Sequence, residues 1–269
     1  MINTIIEKKL EPWLKENLPR FHAKSLPAGL PVFQIVPNGL YTFLVQSFLR
    51  NYNITPKGMI HVGGHMGHEV LPYCLLGFRN ILIIEPLPEA CEKLEQICNL
   101  YNDLAVRCVE VFDGEPFSKI YLEQCAAGAS NGSTTLFITE ETGLSSTHKP
   151  TQPMEVQGKD LAAVKQEINV PVVTLDTMFA NGKYDAGDYN GIRVNVQGDE
   201  LNVFKGAVSV LPHLDFVFCE ANYDQRYENI PTTDELIAFI ETQGFTLVRH
   251  DRLSATVGNL LFLNNNKLL

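Results

Sequence analysis

The chain has 269 residues, of which 45% are hydrophobic, and carries a formal net charge of -10. This length and hydrophobic content predict one sizeable buried core and exclude a disordered or repeat protein. Because nucleic-acid binding requires a face rich in Lys and Arg, the negative charge argues against a nucleic-acid partner.

The six cysteines form no CxxC pair and lie mostly in apolar runs, which is typical of reduced core thiols. No apolar stretch is long enough to span a membrane, and charges occur throughout residues 1–18, where a signal peptide would be apolar. We therefore expect a protein of the reducing cytoplasm with no membrane contact.

The first part of the chain has helical apolar spacing divided by prolines. We interpret residues 1–57 as a helical extension that forms a lid, with Tyr41 as a candidate contact for a substrate. From Gly58 the pattern changes to short apolar runs separated by helical segments, which is typical of strand-helix-strand units. Residues 58–269 are therefore expected to form an α/β core.

Five apolar runs predict parallel strands that are buried on both faces. These runs are Met59 to Val62, Asn80 to Ile84, Ile120 to Ala126, Ile192 to Val196 and Asp215 to Cys219. Two further strands, Phe245 to His250 and Asn259 to Leu263, have a short connection and should pair antiparallel.

Two of the intervening helices carry start signals. Pro88 suits a first helical position, and Thr232 with Glu235 forms a capping box that opens a helix closed by Gly244. These signals predict helices that begin near residues 88 and 232.

Two segments do not fit the alternation of strands and helices. Residues Ser133 to Val173 are rich in Ser, Thr and Gly, and we interpret them as an insertion or flexible flap with a helical stretch near Leu161 to Gln166. The run Asn264 to Asn266 resembles a linker, which favours fusion to a further C-terminal domain.

The run MIHVGGHMGHE, residues 59–69, is a buried strand that breaks into glycines and then into a helix. Backbone and helix N-terminus can approach a ligand closely in this arrangement. Eighteen residues beyond Gly67 the second strand ends in Glu85, followed by Pro86, and this carboxylate can accept hydrogen bonds from both hydroxyls of a ribose. The pairing predicts a nucleotide-like cofactor.

Two alternatives come from other functional classes. A nicotinamide-dependent oxidoreductase uses the same elements, but its G-x-G-x-x-G fingerprint does not fit, since Gly63 and Gly64 are adjacent and His68 takes the final glycine position. A binding module without catalysis is the second alternative. A role for the glycines in a tight turn alone would leave Glu85 unexplained.

Several motifs occur in one order along residues 58–263. They are IHVGGHMGHE, ILIIEPLPEACEKLEQ, PVVTLDTMF, IRVNVQGDELNVFKGA, FCEAN and GNLLFL. In this order they resemble the FkbM family of methyltransferases. The resemblance implies a Rossmann-like class I methyltransferase fold, a doubly wound sheet of seven strands with an antiparallel last strand, and S-adenosylmethionine (SAM) as the cofactor.

The resemblance also implies positions around SAM. The glycines would face its amino-acid part, Glu85 its ribose, Cys125 with Ala126 its adenine, and Asn195 with Gln197 its sulfonium. The residues expected to bind the cofactor are Gly63, Gly64, His65, Gly67, Glu69, Glu85, Pro86, Cys125, Ala126, Asn195 and Gln197.

Methyl transfer to oxygen is an in-line displacement in which the enzyme mainly aligns the acceptor. A hydroxyl needs a base, whereas a carboxylate arrives ionised at neutral pH. Position 195, commonly aspartate in the family, is Asn195 here, which removes one base and one ligand for a hard cation, so no metal is expected. His65 and Glu220 are the remaining base candidates, and either residue is alternatively structural.

Tyr223, Arg226 and Tyr227 follow the FCEAN motif and are candidate contacts for the acceptor, with Arg226 suited to hold a carboxylate by paired hydrogen bonds. The chain is also similar to FkbM-like domains fused to a prenyltransferase in cyanobacterial peptide tailoring. That similarity implies O-methylation of a peptide C-terminal carboxylate. A sugar or polyketide hydroxyl is the alternative, so the expected partner is a small molecule or short peptide.

Overall fold

The computed structural model describes residues 49–107 and 118–267. Its strands are β1 (Gly58–Val62), β2 (Asn80–Ile84), β3 (Lys119–Glu123), β4 (Ala126–Ala127), β5 (Gly132–Thr139), β6 (Glu155–Val156), β7 (Lys159–Asp160), β8 (Val164–Val173), β9 (Gly191–Val194), β10 (Phe216–Asn222), β11 (Phe245–Arg252) and β12 (Val257–Asn264). Its α-helices are α1 (Val70–Leu76), α2 (Pro88–Arg107), α3 (Leu175–Ala180), α4 (Glu200–Lys205) and α5 (Thr233–Thr242).

Seven strands form the main sheet in the order β11-β12-β10-β9-β1-β2-β3. The neighbours from β10 to β3 pair parallel, whereas β12 pairs antiparallel with both β10 and β11. This order confirms the predicted seven-stranded α/β sheet with an antiparallel last strand.

Helices cover both faces of the sheet. In β1, Ile60 and Val62 belong to a core shared with α3, α4 and α5, while Met59 belongs to a second core with α1 and α2. Successive side chains of a strand point to opposite faces, so a strand buried on both faces must be apolar throughout. The doubly wound arrangement is therefore confirmed, and the apolar runs marked most of the strands correctly.

The helix start signals are confirmed. α2 begins at Pro88, and the Thr232 side chain accepts a hydrogen bond from the Glu235 N–H in a complete capping box. α5 ends at Thr242, shortly before Gly244, which has a φ of 86°.

The predicted flap contributes β5 and β8 to a second sheet of order β4-β8-β5 and also contains the separate pair β6-β7, and two predictions about this part of the chain are wrong. The strand predicted to run from Ile120 to Ala126 ends at Glu123, because Ala126–Ala127 pairs with β8 instead of β2. No helix covers Leu161 to Gln166, since β8 begins at Val164 and pairs antiparallel with β5. This sheet packs on the start of α2 through a small core, which consists of Leu87, Ala90, Ala126, Leu136 and Val170. Its apolar pattern was therefore too weak to identify the strands.

Residues 1–48, including Tyr41, lie outside the described residues, so the predicted lid and the contact by Tyr41 stay predictions. Asn264, placed in a linker by its sequence, lies in β12, and its Nδ2 donates a hydrogen bond to the Leu214 carbonyl oxygen. Among the described helices, none combines the length and apolar character needed to cross a membrane.

Candidate functional site

A cleft lies at the carboxyl ends of β1, β2 and β9, under the covering segment, residues 140–154, which joins β5 to β6. It encloses about 910 Å³ when the open solvent at its mouth is included. Doubly wound sheets bind ligands at this edge. All of the predicted cofactor-binding residues line the cleft except Gly67.

The turn after β1 brings backbone close to the cleft. Gly63 has a φ of 85°, and a Cβ on this residue would collide with the Asn195 carbonyl oxygen. Its N–H donates to the Ile84 carbonyl oxygen at 2.9 Å. Glycine is therefore required at position 63 for both the turn and the close approach of β1 to β9.

Gly67 serves a different purpose from the predicted one. Its φ is 74°, and a Cβ there would lie 2.8 Å from the Leu94 side chain and 2.9 Å from that of Ile97. This glycine lets the turn pack against α2, and it does not line the cleft.

Glu85 is fixed by two backbone groups at the end of β2. Its Oε2 accepts the His65 N–H at 2.8 Å, and its Oε1 accepts the Leu87 N–H at 2.9 Å. Burial raises the pKa of this carboxyl above its ordinary value. Because each carboxylate oxygen accepts more than one hydrogen bond, both oxygens keep capacity for the two hydroxyls of a ribose.

His65 joins the glycine turn to the covering segment. Its Nε2 lies 2.9 Å from Thr142 Oγ1. Burial, with the nearby His68, lowers the pKa of His65, which keeps the ring neutral at pH 7. A neutral imidazole can act as a hydrogen-bond partner or a base.

His61 and Arg193, which sequence reasoning did not identify, also line the cleft and lie opposite each other in β1 and β9. A guanidinium nitrogen of Arg193 lies 3.4 Å from Glu69 Oε1. Burial lowers the pKa of His61 to about 4, and His61 Nε2 has no hydrogen-bond partner among the described residues. A polar ligand would satisfy such a buried atom. The sequence signal that could have identified His61 and Arg193 is the presence of a polar residue inside an apolar strand run.

The turn after β9 is held by Glu200. β9 ends at Val194, two residues earlier than predicted, and Gln197 has a φ of 57°. The Glu200 carboxylate accepts the N–H of Val196 at 3.0 Å and that of Gly198 at 3.1 Å. Burial, together with the charge of a neighbouring glutamate, raises the pKa of Glu200 to about 7.

Gln197 brings three predicted site residues together. Its Nε2 donates to Asn195 Oδ1 at 2.7 Å and to Glu220 Oε1 at 3.0 Å, while the Tyr227 hydroxyl lies 3.1 Å from its Oε1. This network orients the Asn195 amide and leaves its Nδ2 as a donor beside the cleft. Burial raises the pKa of Glu220.

The covering segment is bonded to the same turn. Ser146 Oγ donates to the Gln197 carbonyl oxygen at 2.8 Å. His148 Nε2 lies 3.0 Å from Asp199 Oδ1, and its Nδ1 lies 2.9 Å from the Glu228 carbonyl oxygen. The hydrogen bond with Asp199 raises the pKa of His148.

The residues predicted to contact the methyl acceptor, Tyr223, Arg226 and Tyr227, do not lie at one site. The Tyr223 hydroxyl lies 2.7 Å from His250 Nε2, the Arg252 guanidinium lies over its ring, and Tyr223 does not line the cleft. Arg226 and Tyr227 line a second cavity next to the cleft.

Comparisons with known proteins support a family assignment. Residues 61–247 match the family described as "Methyltransferase FkbM domain". No curated protein matches the chain.

Three solved structures are similar to the chain at TM-scores below 0.5. The FkbM methyltransferase from Methylobacillus flagellatus has a TM-score of 0.49 and 16% identity over 94% of this chain and 60% of that one, so this chain spans about three fifths of its length. Magnesium protoporphyrin IX methyltransferase from Synechocystis with bound SAM has a TM-score of 0.45 and 8% identity, covering 97% and 93%.

An SAM-dependent methyltransferase from Clostridium acetobutylicum has a TM-score of 0.43 and 8% identity, covering 95% of this chain and 98% of that one. These similarities are too distant to transfer a substrate. The family match, in contrast, covers well over half of the chain. The chain therefore belongs to the FkbM family of methyltransferase domains.

Proposed function

We propose that the chain is an SAM-dependent O-methyltransferase that acts on a small molecule or short peptide in natural-product tailoring. The observation that carries the proposal is the placement of Glu85 opposite the Gly63 turn in one cleft, with both carboxylate oxygens oriented by backbone donors. A ribose and an amino-acid group belong to one SAM molecule, and these residues fit both.

SAM supplies a methyl group that is activated by a positively charged sulfur. Glu85 would accept hydrogen bonds from the ribose hydroxyls, and Cys125 with Ala126 would line the adenine position. The buried Nε2 of His61 would gain a partner from the amino-acid part, beside the Glu69–Arg193 ion pair. Residues of this chain therefore bind and align the reactants.

The Asn195 amide supports an oxygen acceptor. Since its Oδ1 is engaged by Gln197 Nε2, its Nδ2 can donate to the lone pair of an incoming oxygen. A carboxylate needs no base, so a peptide C-terminal carboxylate fits this site, in line with the similarity to peptide tailoring domains. For a sugar or polyketide hydroxyl, Glu220 would be the base. Its Oε1 lies 3.0 Å from Nε2 of Gln197, which lines the cleft.

The test is mass spectrometry after incubation of the protein and SAM with two panels, carboxyl-bearing peptides and hydroxyl-bearing glycosides. We expect the mass gain of one methyl group on the peptides, and its loss on mild ester hydrolysis. A gain on glycosides alone would select the hydroxyl alternative. Binding of NAD in place of SAM, or SAM binding without transfer to either panel, would favour an oxidoreductase or a binding module, respectively.

A further inference from the structure

A second cavity lies beside the cleft, between the covering segment and the loop that follows β10. It encloses about 460 Å³ when open solvent is included. Most of its wall is apolar and consists of Leu144, Pro150, Pro153, Met154 and Ala162. Such a surface suits the apolar body of a small molecule.

At the polar end of this cavity, Asp224 and Arg226 lie side by side, and one carboxylate oxygen has no hydrogen-bond donor among the described residues. Arg226 Nε lies 3.7 Å from Asp224 Oδ1, and another Arg226 nitrogen donates to Thr256 Oγ1. Asp224 Oδ1 is buried, yet it accepts no hydrogen bond from any residue that the structure describes. Asp224 lines the cavity and 30% of its side chain is exposed, so a ligand group that donates a hydrogen bond can reach this carboxylate and offset the cost of the unpaired acceptor.

Asp224 also changes what Arg226 can bind. A ligand carboxylate at Arg226 would meet the Asp224 carboxylate as well, and the repulsion would offset the attraction to the guanidinium. This arrangement argues against the expectation that Arg226 holds an acceptor carboxylate.

One side-chain contact links the cavity to the cleft. Tyr227 lines the cavity, and its hydroxyl lies 3.1 Å from Gln197 Oε1 and 3.1 Å from the Leu144 carbonyl oxygen. Gln197 lines the cleft and contacts Asn195. Tyr227 therefore forms the wall between the cavity and the cleft, so an acceptor in the cavity would lie next to the proposed point of transfer.

We propose that this cavity is the acceptor subsite and takes an apolar group whose far end is a hydrogen-bond donor, namely an amine, an amide N–H or a hydroxyl. The oxygen to be methylated lies at the other end, toward Gln197. The proposal rests on the proposed function for its link to catalysis, but binding in the cavity is measurable without transfer.

The test is saturation-transfer NMR on the full chain with benzylamine, benzamide and benzoate, which share a ring and differ in the polar group. S-adenosylhomocysteine is added to fill the cleft. We expect benzylamine and benzamide to bind about tenfold more tightly than benzoate, the factor typical of one hydrogen bond to a charged group. Equal or tighter binding of benzoate, or binding of none of the three, would overturn the proposal.

Two variants locate the binding. Met154→Trp fills the cavity and should abolish binding of the probes, whereas Val156→Trp changes an exposed residue of β6 and should not. Asp224→Asn should reduce the affinity for benzylamine about tenfold. Probe binding that is unaffected by Met154→Trp contradicts the subsite.

Calorimetric titration of SAM into the same variants separates the two proposals. Unchanged SAM affinity in Met154→Trp, with probe binding lost, is the expected result. If SAM binds but probe binding is unchanged in the cavity variants, the subsite proposal alone fails. If the probes respond but SAM does not bind to the wild type, the proposed function fails while the cavity remains a binding site.

Discussion

Glu85 holds its position through both carboxylate oxygens, which accept backbone N–H groups of His65 and Leu87. Glu85→Gln would place a donor against one of these N–H groups and remove one acceptor for a ribose hydroxyl. We expect the affinity for S-adenosylhomocysteine to fall about 10- to 100-fold by calorimetry. The control Glu92→Gln, at an exposed position of α2, should bind like the wild type. Wild-type affinity in Glu85→Gln would contradict the ribose assignment.

At Gly63 a side chain would meet two obstacles, a positive φ and a lack of space for a Cβ. Gly77 has only the positive φ, so a comparison of the two positions separates these effects. Both residues have positive φ, but a Cβ would collide with Asn195 at position 63 and meets nothing within 4 Å at position 77. In chemical denaturation, Gly77→Ala should lower the free energy of unfolding by about 1 kcal/mol. Gly63→Ala should cost roughly 3 kcal/mol or more. Equal losses would show that the close approach to Asn195 has no consequence.

Glu220 has a raised pKa because it is buried, and this makes its role testable by pH. As a base it must be ionised, so transfer to a hydroxyl should decline as pH falls through a pKa above the ordinary glutamate value. Glu220→Gln keeps an acceptor for Gln197 but no base, and should lower kcat about 100-fold and remove the acid limb. With a carboxylate acceptor the variant should retain activity. An acid limb that persists in Glu220→Gln excludes this base.

At the scale of elements, the main sheet was predictable and the second sheet was not. The strands of the main sheet are buried on both faces, so Asn80–Ile84 and its neighbours appear as apolar runs. β5 and β8 cover only a small core, and their exposed faces carry Ser, Thr, Lys and Glu. A strand with one exposed face lacks the continuous apolar run by which the strands of the main sheet were predicted.

The bond between His148 and Asp199 predicts that the covering segment responds to pH. This bond raises the pKa of His148, so its stabilisation is complete below the ordinary value of 6.5 and is lost as pH rises through the folded-state pKa. Hydrogen exchange of residues 142–151, corrected for intrinsic rates, should therefore be faster at pH 8 than at pH 6. His148→Gln, which keeps a donor but does not titrate, should abolish the difference. A difference that survives in His148→Gln would assign it to another group, such as Glu200.

At the scale of the whole molecule, the cleft could be predicted from the sequence, because many of the residues that line it follow three strands that are neighbours in the sheet. The parts that sequence reasoning missed come together only in the folded chain. His61 and Arg193 lie opposite each other across two strands, and the second cavity forms where the covering segment meets Asp224 and Arg226. Tyr223, next to these residues in sequence, is bonded to His250 instead.

The most direct measurement of the central claim is a crystal structure of the full chain with S-adenosylhomocysteine. We expect one molecule in the cleft, with both ribose hydroxyls within hydrogen-bond distance of Glu85 and the amino-acid part beside Gly63 and His61. A ligand bound elsewhere, or Glu85 turned away from the ribose with its bonds to His65 and Leu87 broken, would contradict the account.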